Sequence, residues 1–199
     1  MILLNISGWH AGRVTCPSRE QAIVEHGLDV TADQIAAVAG VGRATLFRHF
    51  TSRDDLLAAA VVAGGHQLSA DLPDCADGDW QRWLADICAM IHALSALSAH
   101  WVWELTGRRQ LSAPLSRAAE DLACNRGARF RQVTDQLWTA VGGSLPAPEP
   151  LFDAVAAHLS PLFTVAVLCD AGGGSADHHT AARLAEQAIV AALNATLRD

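Results

Sequence analysis

The chain has 199 residues, enough for a small N-terminal domain and a second domain of ordinary size. Its formal charge of −7 argues against a protein that coats nucleic acid without regard to sequence, because such binding needs many contacts between basic side chains and phosphates. Hydrophobic residues make up 51% of the chain, alanine is frequent, and tyrosine and lysine are absent, so helices are favoured over strands. We therefore predict an all-α protein of about nine helices.

Three short helices are predicted first, after an irregular N-terminal extension over residues 1–16. Their expected bounds are 17–26, 32–39 and 43–50. Thr31 is a good N-cap for the second of these helices, and Gly40 is a good residue to end it. The turn between the second and third helices is then very short, which is typical of a pair of packed helices.

Longer helices are predicted from Ser52 onward. Ser52, with the two aspartates that follow it, opens a connector helix that ends before the segment 73–79. Apolar residues at three- and four-residue steps indicate further helices over 83–101, 115–141, 151–169 and 176–197. Pro161 should kink or restart the third of these. The predicted domains are a head over residues 17–65 and a helical body over 66–199.

The five cysteines are scattered and odd in number, and none forms a C-x-x-C pair, so neither a disulfide framework nor a zinc site is predicted. This cysteine usage favours a reducing cytoplasm. The apolar stretches Met1–Leu4 and Leu162–Cys169 are far shorter than the roughly 20 residues that cross a bilayer. Residues 1–15 also lack the features of an export signal, so we expect no membrane partner.

The segment from Thr31 to Leu56 has the pattern of a helix-turn-helix. Four apolar residues can pack its two short helices together: Ile35, Ala36, Val41 and Leu46. That packing leaves the start and outer face of the second helix available to enter a major groove of DNA. The pattern therefore predicts a DNA-binding head.

This segment resembles the tetracycline-repressor family of transcriptional regulators over about residues 19–65. The matching features are a small helix led by Thr31, the turn Ala-Gly-Val-Gly over residues 39–42, the run Thr-Leu-Phe-Arg-His-Phe over 45–50, and Ser-Arg-Asp over 52–54. The resemblance implies a head followed by an all-helical body that senses a ligand and dimerises. It implies a ligand-responsive repressor that binds double-stranded DNA at a palindromic operator as a homodimer.

The resemblance assigns DNA contact to eight residues: Thr31, Arg43, Ala44, Thr45, Phe47, Arg48, His49 and Arg53. The third helix reads base edges through its arginines and threonine, because arginine can bond guanine in a bidentate way and threonine can meet a thymine methyl group. Thr31, His49 and Arg53 are expected at phosphates. Ala44 is small enough to pack close to DNA, and Phe47 replaces the family's usual tyrosine.

Aromatic residues and histidines of the body predict a pocket for a small apolar or aromatic ligand, with His92 and His100 as polar groups, although such stripes also occur as ordinary core. Its candidate lining residues are Trp83, Ile87, Met90, His100, Trp101, Phe130 and Phe163.

The last two helices predict a dimer surface, because one of them is apolar on nearly every side. The candidate dimer residues are Leu159, Leu162, Val165, Leu184, Ala188 and Ala192.

No arrangement of residues predicts an enzyme, a cofactor or a metal. Asp177 and the two histidines after it are interpreted as a helix start, and Glu104 with Arg108 as a surface pair at helical spacing. Arg126, Arg129 and Arg131 are expected on a solvated face.

The alternative function is a helical small-molecule-binding or enzyme-like protein whose head no longer binds DNA. It is motivated by the predicted helix over residues 17–26, which is shorter and poorer in leucine and phenylalanine than its counterpart in the family.

Overall fold

The computed structural model describes residues 27–67, 72–76, 78–170 and 177–198. These residues form helices and connecting turns with no strand, which confirms the predicted all-α class. The predicted extension over residues 1–16 and the predicted helix over 17–26 lie outside the described residues. The elements are a 3₁₀ turn (Gly27–Asp29) and the helices α1 (Ala32–Ala39), α2 (Arg43–His49), α3 (Arg53–Gln67), α4 (Trp80–Gly107), α5 (Ala113–Ala140), α6 (Glu149–His158), α7 (Pro161–Asp170) and α8 (His178–Thr196).

Helix α1 is defined at both ends by local interactions. At its start, the Gln34 amide donates to Thr31 Oγ1 at 3.2 Å, while the Thr31 amide donates to Gln34 Oε1 at 2.7 Å. This reciprocal pair is a capping box, which satisfies two otherwise unpaired N–H groups. At its end, Gly40 adopts the left-handed conformation, with φ of 63°. The predicted bounds of α1 are therefore confirmed.

Helix α3 begins with a second set of local bonds. The Asp55 amide donates to Ser52 Oγ at 3.0 Å, and the Ser52 hydroxyl donates to the Asp55 carboxylate at 2.8 Å. The Thr51 hydroxyl donates to the same carboxylate. These hydroxyl groups, Thr51 first and Ser52 second, hold the pKa of Asp55 below its usual range. Ser52 thus opens the connector helix, as the sequence predicts.

The described chain divides into two compact units. The first contains residues 27–67 and Glu104–Leu122, and the second contains the described residues of Leu68–Trp103 and Ala123–Asp199. The first unit therefore includes the end of α4 and the start of α5 in addition to the helices of the head. The predicted boundary between residues 65 and 66 stays a prediction.

The second unit has one apolar core, to which α4, α5, α6 and α8 contribute. Its fully buried members include Leu84, Leu137, Leu151 and Ile189. The chain between Leu151 and Cys169 forms two helices, because α6 ends at His158 and α7 starts at Pro161. The predicted restart at Pro161 is confirmed.

Within the described ranges, no single helix is long and apolar enough to cross a membrane. Two bent helix pairs meet the length and composition required only when their halves are counted together: Trp80–Ser98 with Trp101–Gly107, and Glu149–His158 with Pro161–Cys169.

We predict opposite effects from the same substitution at two glycines. Gly40→Ala should lower the free energy of unfolding by about 1 kcal/mol, because the added Cβ disfavours a positive φ. Gly127→Ala should raise it by about 0.5–1 kcal/mol, because Gly127 lies inside α5 with open space around it. Urea denaturation of both variants checks this, and equal effects of the two changes would contradict it.

Candidate functional site

The orientation of α2 is set by the packing of α1 against α2. Leu46 is almost completely buried, as is Ile35 of α1. The other face of α2 is open, since Arg43, Ala44, Arg48 and His49 are exposed. The geometry is that of two short helices joined by a tight turn, with one face of the second helix presented to solvent.

Seven of the eight predicted DNA-contact residues belong to this exposed region. Besides the four exposed residues of α2, Thr31 is exposed at the start of α1, Phe47 is 39% exposed and Thr45 is half-buried. Thr45 is thus partly covered on its own helix, while its neighbours extend into solvent.

Arg43 has two partners in the head. Its Nη1 lies 2.9 Å from Oδ2 of Asp33, and its guanidinium lies 5.3 Å from the centre of the Phe47 ring. Both members of the ion pair are more than half exposed, so water and salt weaken their attraction. The contacts orient Arg43 without burying it.

Arg53, the eighth predicted residue, is engaged differently. Its Nε donates to the carbonyl of Val30 at 2.7 Å, and its Nη2 donates to the carbonyl of Leu28. Its Nη1 also lies 3.3 Å from the carboxylate of Asp54. The guanidinium therefore ties the start of α3 to the 3₁₀ turn, and the structure does not place it on the exposed face of α2.

The end of α4 holds the same turn from another direction. Oε2 of Glu104 accepts a 2.6 Å hydrogen bond from the Leu28 amide, and Nη2 of Arg108 donates to Asp29 at 2.8 Å. The bond from Arg108 holds the pKa of Asp29 below its usual range and raises that of Arg108. The sequence indicated only a surface pair here. It carried no signal for these contacts, because 76 residues separate Leu28 from Glu104.

The predicted ligand residues are only partly brought together. Trp83, Ile87 and Phe130 are members of the buried core of the second unit, and Met90 and Phe163 pack against it. Trp101 is buried but is not a member of that core. The side chain of His100 lies outside the described part of the structure.

His92 is a buried polar residue in the same unit. Its Nδ1 lies 2.7 Å from the Thr164 hydroxyl, and its Nε2 has no hydrogen-bond partner among the residues that the structure describes. Burial lowers the pKa of His92 to about 4, so the imidazole is neutral near pH 7. The sequence indicated His92 as a polar group of the pocket but gave no sign that it is fully enclosed.

Of the three arginines predicted on a solvated face of α5, Arg126 is the one that burial affects, whereas Arg129 and Arg131 make exposed hydrogen bonds. Arg126 is half-buried, and burial lowers its pKa. Its position between the buried Leu122 and Phe130, four residues away on either side, explains this burial. Arg131 pairs with Glu149 at 2.9 Å and lies 3.6 Å from the centre of the Phe152 ring. The described residues contain no cluster of side chains that could hold a metal ion.

The predicted dimer residues differ in exposure. Leu162 and Leu184 are 43% and 42% exposed, and Ala188 and Ala192 are half-buried. Leu159 and Val165 are buried within their own chain, and Leu159 belongs to its core. The apolarity of these last two residues therefore serves internal packing.

We predict that Glu104→Gln exposes the Leu28 amide to exchange. A neutral amide oxygen is a weaker acceptor than a carboxylate, so hydrogen exchange at Leu28 should quicken about tenfold at fixed pH. Glu120→Gln on an exposed part of α5 is the matched control and should leave exchange at Leu28 unchanged. Equal protection of Leu28 in both variants would argue against the bond.

Comparison with known proteins gives one family. Residues 20–60 match the model of the bacterial regulatory proteins of the tetR family. The match spans the 3₁₀ turn, α1, α2 and the first half of α3, so it covers all eight predicted DNA-contact residues. None of the curated proteins matches the chain.

Solved structures extend the similarity beyond the head. A transcriptional regulator from Rhodococcus sp. Rha1 has a TM-score of 0.66 at 17% identity, over 90% of this chain and 94% of that one. The fatty acid degradation regulator FadR from Bacillus halodurans has a TM-score of 0.63 at 13% identity, over 87% and 94%. FadR from Bacillus subtilis, in complex with stearoyl-CoA, has a TM-score of 0.63 at 13% identity, over 88% and 95%.

At these identities the structural similarity shows a shared fold, and the family model matches the residues that form the helix-turn-helix. Both findings agree with the geometry of α1 and α2. Residues 20–60 thus match the tetR family of bacterial regulatory proteins, and the described chain shares its fold with the transcriptional regulators named above.

Proposed function

We propose that this regulator is a ligand-responsive repressor that binds a palindromic operator as a homodimer. The observation that carries the proposal is the exposed face of α2, which presents arginine and small side chains while Leu46 is buried behind it. A short helix held in this way can lie in the major groove with its N-terminal residues at the base edges.

Within this proposal, Arg43 exchanges its internal partner for DNA. Ion pairs between exposed side chains contribute about 0–1 kcal/mol, whereas a bidentate arginine–guanine contact contributes about 1–3 kcal/mol of discrimination. The contact with guanine is therefore the stronger of the two. Asp33 and Phe47 keep Arg43 near the start of α2 until DNA is met.

The remaining residues divide between reading bases and holding the backbone. We assign base contacts to Arg43, Thr45 and Arg48, and phosphate contacts to Thr31 and His49. For Arg53 we propose a positioning role, since its guanidinium already bonds two carbonyl groups of the protein. Arg53 then acts on DNA binding through the 3₁₀ turn and α1.

The homodimer is proposed to form through α7 and α8. These helices pack on each other, and each leaves a leucine exposed, Leu162 on α7 and Leu184 on α8. Leu159 and Val165 are left out of the proposed surface because they are buried in their own chain. Two-fold symmetry would give half-sites about one helical turn of DNA apart, or a multiple of it.

The ligand is proposed to bind in the second unit, whose core contains Trp83, Ile87 and Phe130. The similarity in fold to FadR from Bacillus subtilis, solved with stearoyl-CoA, supports a ligand with an apolar part. Such a ligand acts by favouring a state in which the connector helix α3 is shifted. A preference of about 3 kcal/mol changes the ratio of the two states more than a hundredfold.

Selection from random double-stranded DNA by the purified protein tests operator binding, and we expect enrichment of an imperfect palindrome. Arg43→Ala with Arg48→Ala should then weaken binding to the selected site at least a hundredfold, because both base contacts are lost in each half-site. Gel shifts at fixed salt concentration measure the loss.

The control for this pair is Arg82→Ala with Arg183→Ala, which removes the same charge from exposed positions on α4 and α8. It should bind the selected site within about threefold of the original protein. Equal losses in the two double variants would reduce the role of Arg43 and Arg48 to net charge. Failure to enrich any sequence would favour the alternative, a helical ligand-binding or enzyme-like protein whose head does not bind DNA.

Dimer formation is tested by Leu162→Glu combined with Leu184→Glu. Burying two carboxylates at a two-fold interface is unfavourable, so sedimentation at micromolar concentration should change from dimer to monomer. Leu145→Glu, at a site that is 62% exposed, is the control and should leave the dimer intact. A monomer in the unsubstituted protein, or a dimer that survives the double change, contradicts the proposed surface.

A further inference from the structure

Part of the interior of the second unit is polar. His92, Ser95 and Ser98 lie one turn apart along α4 and are buried, and Thr164 of α7 is fully buried beside His92. Ser98 donates to the carbonyl of Ser95 at 3.1 Å, so its hydroxyl is satisfied within the helix. Thr134 of α5 is likewise satisfied, since its hydroxyl donates to the carbonyl of Phe130 at 2.7 Å.

His92 differs from these residues because one of its ring nitrogens has no partner. The side chain is fully buried, and no described residue forms a hydrogen bond of ordinary geometry with Nε2. The backbone of His158 lies near the imidazole and acts to raise its pKa, against the larger lowering effect of burial. Buried polar atoms are nearly always hydrogen-bonded, because an unpaired one has lost its water and gained nothing. Nε2 is therefore an atom at which the fold leaves a hydrogen bond to be made.

The hydrogen bond to Thr164 fixes the direction of the imidazole but allows either tautomer. If Nδ1 accepts from the Thr164 hydroxyl, Nε2 carries the proton and donates; if Nδ1 donates, Nε2 accepts. A hydroxyl group can serve both cases, because it is at once a donor and an acceptor. Thr164 thus acts as a positioning residue.

The surroundings of His92 favour an uncharged partner. Its polar contact is the neutral Thr164 hydroxyl, and its ring lies 5.8 Å from that of Phe163, which in turn lies 5.2 Å from the ring of His158. Among the described side chains, no carboxylate or guanidinium is bonded to the imidazole. The rings of His158 and His178 are the described ionisable groups that act electrostatically on His92, and neither ring bonds to it, so burying an anion at Nε2 is costly.

Phe163 is the side chain best placed to give way to a ligand. It is half-buried, packs against the core and makes ring contacts with His92 and His158. Movement of its side chain would open space beside His92 that is suited in shape to another flat apolar group.

We infer that the second unit binds an apolar, preferably aromatic, molecule carrying one uncharged hydroxyl group, which forms a hydrogen bond with Nε2 of His92. The inference rests on the proposed ligand site and adds the chemical class of the ligand and the residue that selects it. Thr164 holds the imidazole in place, and Phe163 is displaced when the molecule enters.

Three compounds of one shape test the inference: 2-naphthol, naphthalene and 2-naphthoate. With the full-length protein at pH 7, calorimetric titration should show 2-naphthol binding about tenfold more tightly than naphthalene, which corresponds to one hydrogen bond. The carboxylate compound should bind more weakly than 2-naphthol. Tightest binding of 2-naphthoate, equal binding of 2-naphthol and naphthalene, or binding of none of the three overturns the inference.

Two variants distinguish the role of Nδ1 from that of Nε2. In His92→Asn the amide stands where Nδ1 was, so the bond to Thr164 is kept and the group at Nε2 is lost; in His92→Gln the longer side chain restores a polar group near Nε2. In His92→Asn, 2-naphthol and naphthalene should bind about equally well. In His92→Gln, most of the tenfold preference for 2-naphthol should be kept. Retention of the full preference in His92→Asn overturns the inference.

A measurement on the unsubstituted protein makes the test independent of how the variants fold. The ¹⁵N resonance of His92 Nε2 should shift when 2-naphthol is added and remain in place with naphthalene. An unchanged resonance at saturating 2-naphthol contradicts the assigned contact.

None of these measurements uses DNA. The inference can therefore fail while operator selection succeeds, and operator binding can fail while 2-naphthol still binds at His92.

Discussion

Burial of one leucine determines what α2 can present to another molecule. A helix of seven residues has about two turns, so fixing Leu46 inward also fixes the direction of every other side chain on it. The turn that begins at the left-handed Gly40 joins α1 directly to α2, so the two helices can pack through Ile35 and Leu46. Because Leu46 points inward, Arg43 and Arg48 lie on the exposed face of α2.

The 3₁₀ turn before α1 also restrains the head. It is held by polar contacts, whereas α2 is held by the burial of the apolar Leu46. Arg53 donates to the carbonyl of Leu28 in the turn and to that of Val30 just after it. Glu104 accepts from the amide of Leu28, and Arg108 donates to the carboxylate of Asp29. Helix α1 starts three residues after this turn, so bonds to main-chain groups and to the Asp29 carboxylate restrain the chain that leads into it. Each of these hydrogen bonds has an ionised donor or acceptor, and such bonds are stronger than those between neutral groups.

Much of the fold could be predicted from the sequence because short-range rules determine it. The bounds of α1, the left-handed Gly40 and the restart at Pro161 each depend on residues within a few positions. The exposure of α2 followed from the same local pattern. The contacts of Glu104 and Arg53 could not be predicted, since they join residues far apart in the chain.

Composition alone does not distinguish burial inside one chain from burial at an interface between two chains. The apolar stretch around Leu159 and Val165 indicated a surface for a second subunit, but these side chains fill the interior of their own chain. Arg126 shows the reverse case, because a charged residue was expected in solvent although its position on α5 belongs to the buried stripe. Helical periodicity is the better guide in both cases, since it concerns position and not residue type.

The ion pair between Asp33 and Arg43 has a consequence for how recognition responds to ionic strength. Dissolved salt screens the attraction of an arginine for phosphate, and it screens the attraction of Arg43 for its own carboxylate in the same way. As salt rises, the internal competitor weakens together with the external target. Binding through Arg43 should therefore vary less steeply with salt than binding through an arginine that has no such competitor, so that this pair buffers the head against changes in the cell's electrolyte.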